Sequence, residues 1–438
     1  MKKLLSIAMF FALAFTVQAN YLRVTNVSYD LATQNVDFDL TWSNSWRVDS
    51  MGAPFNWDAA WVFVKWRECD AFATDPWTHG IINVNLAAYS FGNLQPVLSD
   101  SAGTVGISAA PDNLGVMLRH QTNQITPSFP NQAITLNVTN LPAMGDLDLR
   151  VMGIEMVFVT QGQFMINSST VIDTQNTVRP NGYKSFHCMK YEISQQQYAE
   201  FLNTVPSTYA ATRYYTSINN RYVLRNTGTP PNQYFSDRPD RACNYLSWQD
   251  VQAYMDWAAL RPMDQDEYIK ACRGSGPFVV NEYAWGTTNI TQALQFATLI
   301  EDGTETISTP NANCHYINNA IIGGDGGYGP LRVGIFATPT TTTREQTGAT
   351  YFGIMEMSGN VWETGIHHSY DPNGFDGSWG NGYLNASAEA DVATWPLNVR
   401  SANLGGSYQD GTNVLRVNYI TTRYWTYRYA YDGGRGVR

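Results

Sequence analysis

The chain has 438 residues, 44% of them hydrophobic and only 15% charged, with 27 Lys and Arg against 37 Asp and Glu. Its net charge of −10 argues against a nucleic-acid partner, whose phosphates demand a basic surface, and against an anionic membrane surface. This length suggests two or three domains.

Lys2 and Lys3 precede an apolar run from Leu4 to Val17 that ends in Val17-Gln18-Ala19. A basic start, a short apolar core and a small-residue end predict a signal peptide over 1–19. No later stretch approaches the ~18 apolar residues of a membrane helix. The expectation is an exported protein, periplasmic, cell-surface or extracellular, without membrane insertion.

Residues 20–147 read as an all-β sandwich. Val36 to Trp42 alternates apolar and polar residues, the period of a half-buried strand. Ala59 to Trp66 is a strongly apolar strand, and Gly115 to Arg119 and Ala133 to Val138 extend the series. Turn clusters divide them at sandwich-like spacing. Trp57 and Trp61 read as core, flanked as they are by apolar residues. Leu141 to Asp146 is the junction, and a strand from Asp148 to Met156 opens a second domain, 148–438.

In that domain three helices are predicted: Ser194 to Leu202 with Ser194 and Gln197 as a capping box, Ser247 to Leu260 capped by Ser247, and Asp264 to Cys272. Asp264, Asp266 and Glu267 read as residues that cap and buttress the third helix. Residues 286–350 and 370–400 look like long ordered loops, functional or pinned by ions.

The stretch Gly353 to Thr364 joins a small-residue turn (Ser358-Gly359-Asn360), an aromatic anchor (Trp362) and two carboxylates (Glu356, Glu363). Gly359 and Asn360 favour a tight turn at positive φ, which could aim carboxylates and carbonyls at a calcium ion. The plainer reading is a buried tryptophan closing a loop.

This stretch resembles the G-L-x-D-M-x-G-N-V-W-E-W signature of the formylglycine-generating enzyme (sulfatase-modifying factor) family. Other blocks follow in the family's order: Glu155 to Phe164, Tyr191 to Leu202, Ser247 to Tyr254, Arg261 to Tyr268, Ala271 to Gly274, Tyr283 to Gly286, Gly405 to Tyr408 and Gly434 to Arg438. The resemblance implies an α+β fold: a formylglycine-generating-enzyme-like, C-type-lectin-like domain behind the β-sandwich. It also implies a structural calcium ion held by Glu356, the carbonyls of Gly359 and Val361, and Glu363. The family usually has Asp or Asn where Glu356 stands.

The family's oxidase uses two cysteines just after its G-G-S-W element to bind copper, a soft ion that needs thiolates. No cysteine follows Cys314 here, so no copper is expected. The iron-dependent branch needs an H-x-x-x-H-x-E set that none of the six histidines forms, so no iron is expected either. His367 and His368 are adjacent and diverge in an extended chain. No serine or cysteine nucleophile motif stands out, and no catalytic residue is assigned. Five cysteines, an odd number, leave at least one free thiol; Cys188 and Cys272 read as buried.

The C-terminal stretch carries Tyr419, Tyr424, Trp425, Tyr427, Tyr429 and Tyr431 among Arg416, Arg423, Arg428 and Arg435. Tyr and Trp give rigid contact area, and Arg adds planar hydrogen bonding. With Tyr408, Asp410 and Asp432 these aromatics form the expected ligand surface, Tyr427, Tyr429 and Tyr431 sharing one strand face. The expected function is a non-catalytic protein that binds a protein or glycan at a cell surface. The alternative is a family-type oxidoreductase with a displaced metal site, for which Cys272 and Cys314 are the late cysteines. The segment also resembles the C-terminal variable segment of lectin-like proteins encoded by diversity-generating retroelements.

Overall fold

The computed structural model describes residues 22–69, 75–83, 90–99, 105–106, 113–128, 131–229, 232–317, 320–338, 340–371 and 374–438. The expected signal peptide lies outside the described residues.

The architecture turns on two long strands. Asp58–Glu68 pairs antiparallel with Leu147–Val159, from Asp58 opposite Val157 to Glu68 opposite Leu147. They sit inside a nine-stranded sheet that continues through Phe186–Met189 and Gly436–Val437 to Arg261–Pro262 on one side. On the other it continues through Val116–His120 and Leu94–Ser99. Ala60, Val62 and Val64 face a three-stranded sheet made of Arg23–Asp30, Asn35–Thr41 and Gln132–Asn137, meeting Val36, Phe38, Leu40 and Ile134. Ala59, Trp61 and Phe63 turn the other way, into a core shared with the helices. A strand covered on both faces has no reason to alternate, which explains the unbroken apolar run. Two strand layers thus face each other. One of them, however, is the nine-stranded sheet, whose pairing runs without a break across residue 147. The layers do not close as a sandwich within 20–147.

Three helices pack on that second core, α1 (Gln195–Asn203), α2 (Ser207–Arg213) and α3 (Trp248–Trp257), while a further helix, α4 (Gln265–Arg273), packs in a separate core with Val157, Val159 and Trp285. Ser194, Ser247 and Asp264 cap α1, α3 and α4, each completing a capping box with the residue three positions on. Helix α2 escapes the sequence reading because Pro206 precedes it without a side-chain cap and only Ala210 and Arg213 are buried. Trp57 is core, stacked on Phe158 at 3.9 Å. Asp58 gathers Trp42, Ser45 and the Lys190 ammonium, the last at 3.0 Å.

The long loops are pinned by the chain itself. Glu301 and Asp325 are both held by Arg221 and Arg241. In the second loop the Asp256 carboxylate of α3 accepts the backbone N–H groups of Asn381 and Asp391, each at 2.8 Å. None of the five cysteines is disulfide-bonded; Cys69 is exposed and the other four are buried. Among the described residues no helix is long and apolar enough to cross a membrane.

Candidate functional site

The turn at 356–363 is built as its residues dictate. Glu356, Gly359 and Asn360 all take positive φ (55°, 90° and 61°). A side chain at 359 would also run into Cys314 Sγ, 2.4 Å from an added Cβ. The Asn360 amide donates to Glu192 Oε2 at 2.5 Å and accepts from the Leu331 N–H at 2.8 Å, while the Val361 N–H donates to Glu192 Oε1 at 3.0 Å. Trp362 is buried.

Three buried carboxyl groups meet here: Glu192, Glu356 and Glu363. Arg435 Nε and Nη2 both donate to Glu363 Oε1 at 2.7 Å, and the same guanidinium reaches the carbonyls of Met189 and Met355. Glu356 Oε1 accepts the Gly334 N–H at 2.9 Å. The second oxygens, Glu356 Oε2 and Glu363 Oε2, are buried without a donor. Burial pushes Glu192 well up and Glu356 up to about 7, and raises Glu363. An orphaned buried acceptor is costly. Two such oxygens, on the two residues expected to hold a dication and beside the carbonyl-bearing turn, fit calcium's preference for hard oxygen donors.

A second feature lies on the surface. Between the strands Thr421–Arg423 and Asp432–Gly434 the chain forms turns, not the expected strand. Its rings nevertheless touch in sequence: Tyr424 and Tyr427 at 5.5 Å, Tyr427 edge-on to Tyr429 at 5.5 Å, and Tyr429 stacked on Tyr431 at 5.3 Å. Trp425 is part-buried, 6.3 Å from Tyr424. Arg423 lies over Tyr429 and Tyr431, and Arg400 lies 3.9 Å over Tyr424, so the row alternates π faces with guanidinium planes. Arg428 fastens the row from below, donating to both oxygens of buried Asp250 at 2.6 and 2.7 Å. Burial would push Asp250 up, but these hydrogen bonds outweigh it and hold the carboxyl below its ordinary range. Tyr424 and Tyr427 remain 44% and 48% exposed, and Tyr419, set apart from the row, 41%.

With the geometry in view, comparison with known proteins decides the family: residues 147–418 match the sulfatase-modifying factor enzyme 1-like domain. The chain belongs to the sulfatase-modifying factor family. No curated protein matches the sequence. Solved structures similar to this chain include PvdO from Pseudomonas aeruginosa, at 14% identity over 65% of this chain and 94% of that one, with a TM-score of 0.35. CarF, at 15% identity, covers 65% and 98% with a TM-score of 0.30. Treponema denticola variable protein 1, at 9% identity, covers 65% and 95% with a TM-score of 0.28. Likenesses at these scores add nothing to the family match.

In this member of the sulfatase-modifying factor family two expected surface residues prove to be core. Tyr408 is fully buried, its hydroxyl donating to the Ala430 carbonyl at 3.1 Å. Asp432 is 1% exposed beneath Arg423, which approaches to 3.5 Å. Asp410 caps its own turn through Ser407. Arg400 was missed: nothing in sequence ties it to Tyr424, since only the neighbouring strand Ser401–Leu404, paired to Thr421–Arg423, brings it there. His367 and His368 separate as expected. His367 accepts the Ser369 N–H, whereas His368 Nε2 meets Asp264 Oδ1 at 2.9 Å and lies 3.6 Å from Asp266. Arg179 faces Asp266 and His368 at 3.3 and 3.0 Å, making this an ion-pair cluster at the α4 cap. Beyond capping, Asp264 and Asp266 therefore also serve as its acids.

Proposed function

We propose that this sulfatase-modifying-factor protein is an exported, non-catalytic binding protein whose ligand surface is the Tyr/Arg row of residues 423–431 together with the exposed Tyr419 beside it. The observation that carries the reading is the row itself: tyrosines nearly half exposed, in ring contact, interleaved with stacked guanidinium groups and anchored by Arg428 on Asp250. Rigid aromatics of this kind are the anchors of protein and glycan interfaces. The row occupies the part of the chain that resembles the retroelement-diversified segment, and the same use is proposed for it here. Calcium at Glu356, Gly359, Val361 and Glu363 would hold the turn that supports the adjoining strands. Its role would be structural.

The oxidoreductase alternative needs a thiolate pair. Burial holds Cys272 and Cys314 well above the ordinary thiol range, and Cys314 donates to the Ser358 carbonyl. Those are the features of packed thiols.

The test is binding to arrays of defined glycans and of immobilised proteins, with each hit titrated against Tyr424→Ala/Trp425→Ala/Tyr427→Ala. Affinity should fall at least tenfold, the scale of aromatic hot spots, in a variant that still unfolds cooperatively, the loss of the part-buried Trp425 costing some stability. Hits that the triple variant binds equally well would remove the surface from consideration.

A further inference from the structure

On the same side of the sequence as Tyr419 a cleft of about 250 Å³ opens between residues 278–282 and 413–419. Two arginines line it, with opposite circumstances. Arg273 is saturated: it pairs with Glu282 and donates to the Ile166 carbonyl at 3.0 Å and to Asn418 Oδ1 at 2.8 Å. Glu282, which contributes the cleft's carboxylate, is spent on that pair. Arg416 differs from three arginines that follow it. Arg423, Arg428 and Arg435 each face a carboxylate, at 3.5, 2.6 and 2.7 Å. Arg416 has no carboxylate or hydrogen-bond acceptor among the described residues, and its Nε is buried without a partner.

A half-buried guanidinium without an acceptor, in a chain of net charge −10, is unexplained by the fold. Buried donors ordinarily find acceptors, and a guanidinium's planar fork matches a carboxylate best. Around it stand the exposed side chains of Asn281 and Asn413, whose amides have no protein partner among the described residues, and the ring of Tyr419. Amides suit hydroxyl groups, and a tyrosine face suits the flat side of a sugar ring. The volume suits one ring, below the size of a drug-like ligand site.

We propose that this cleft binds a single acidic sugar unit, its carboxylate on Arg416, its hydroxyls on Asn281 and Asn413, and its ring against Tyr419. The inference rests on the binding-protein reading and names the ligand chemistry at the Tyr419 end of that surface.

The test titrates the full chain with glucuronate, with methyl glucoside and with acetate by saturation-transfer NMR. Glucuronate should bind at least tenfold more tightly than either of the others. Arg416→Gln should remove that preference without changing the melting temperature, because Arg416 has no partner to lose. The Tyr424→Ala/Trp425→Ala/Tyr427→Ala variant should bind glucuronate as before, which separates this cleft from the row. Glucuronate binding no tighter than acetate would mean a simple anion hole, and a preference surviving Arg416→Gln would place it elsewhere. Either result overturns the assignment.

Discussion

Arg435→Met should destabilise the protein by about 3–5 kcal/mol, the usual cost of breaking a buried ion pair by removing one partner. Arg435 is completely buried and donates to Glu363, Met189 and Met355, tying the terminal strand to both the central motif and the nine-stranded sheet. Without it Glu363 keeps a buried charge beside two more carboxyl groups, or takes up a proton. The loss should therefore be smaller at pH 5 than at pH 8. Urea titration at both pH values measures it. Pairing the change with Glu363→Met removes the stranded carboxylate and should recover part of the loss. A double variant no more stable than Arg435→Met would show that the carbonyl contacts, not the charge pair, carry the effect.

Calcium should raise the melting temperature, and by more at pH 8 than at pH 5. Glu356 has an ordinary value of 4.5 and is pushed up to about 7 in the fold by burial. Between those values the folded protein keeps a proton that the unfolded chain has released, so this group's contribution to stability declines as pH rises through the window. Calcium takes the deprotonated carboxylate, so it restores stability mainly above pH 7 and competes with the proton below. At a free concentration a hundred times its Kd the ion would add about 2.7 kcal/mol. Glu155, pushed up to about 8, and Asp256 and Asp432, each pushed up to about 7, also titrate nearby. They shift the baseline but cancel when scans with and without calcium are subtracted. A calcium increment equal at both pH values, or one persisting in Glu356→Gln, would remove the ion from this turn.

What could be read from sequence was local. Ser194, Ser247 and Asp264 announce helix starts because the cap and its partner lie three residues apart, and the positive-φ turn at Gly359-Asn360 needs only those two residues. The apolar run Ala59 to Val64 announced a strand for the same reason. The errors were tertiary. Tyr408 follows Gly405 and Gly406, both at positive φ, and the pair turns it inward to a carbonyl 22 residues away. Asp432 is covered because its strand lies beside Trp362–Gly365 in parallel register. Glu363 and Arg435 are 72 residues apart, and no periodicity connects them. The family resemblance supplied the order of the blocks, and the contacts between them came only from the fold.

The pairing of Asp58–Glu68 with Leu147–Val159 has a practical consequence for dissecting the protein. A fragment starting near residue 148 would keep the family's motifs but leave a long strand with its backbone donors and acceptors bare on one side, flanked by Val151, Ile154 and Met156. Such an edge recruits other chains. Expressed alone, that fragment should aggregate, whereas the intact chain should melt in one step, because neither half can let go of the sheet without stripping the other.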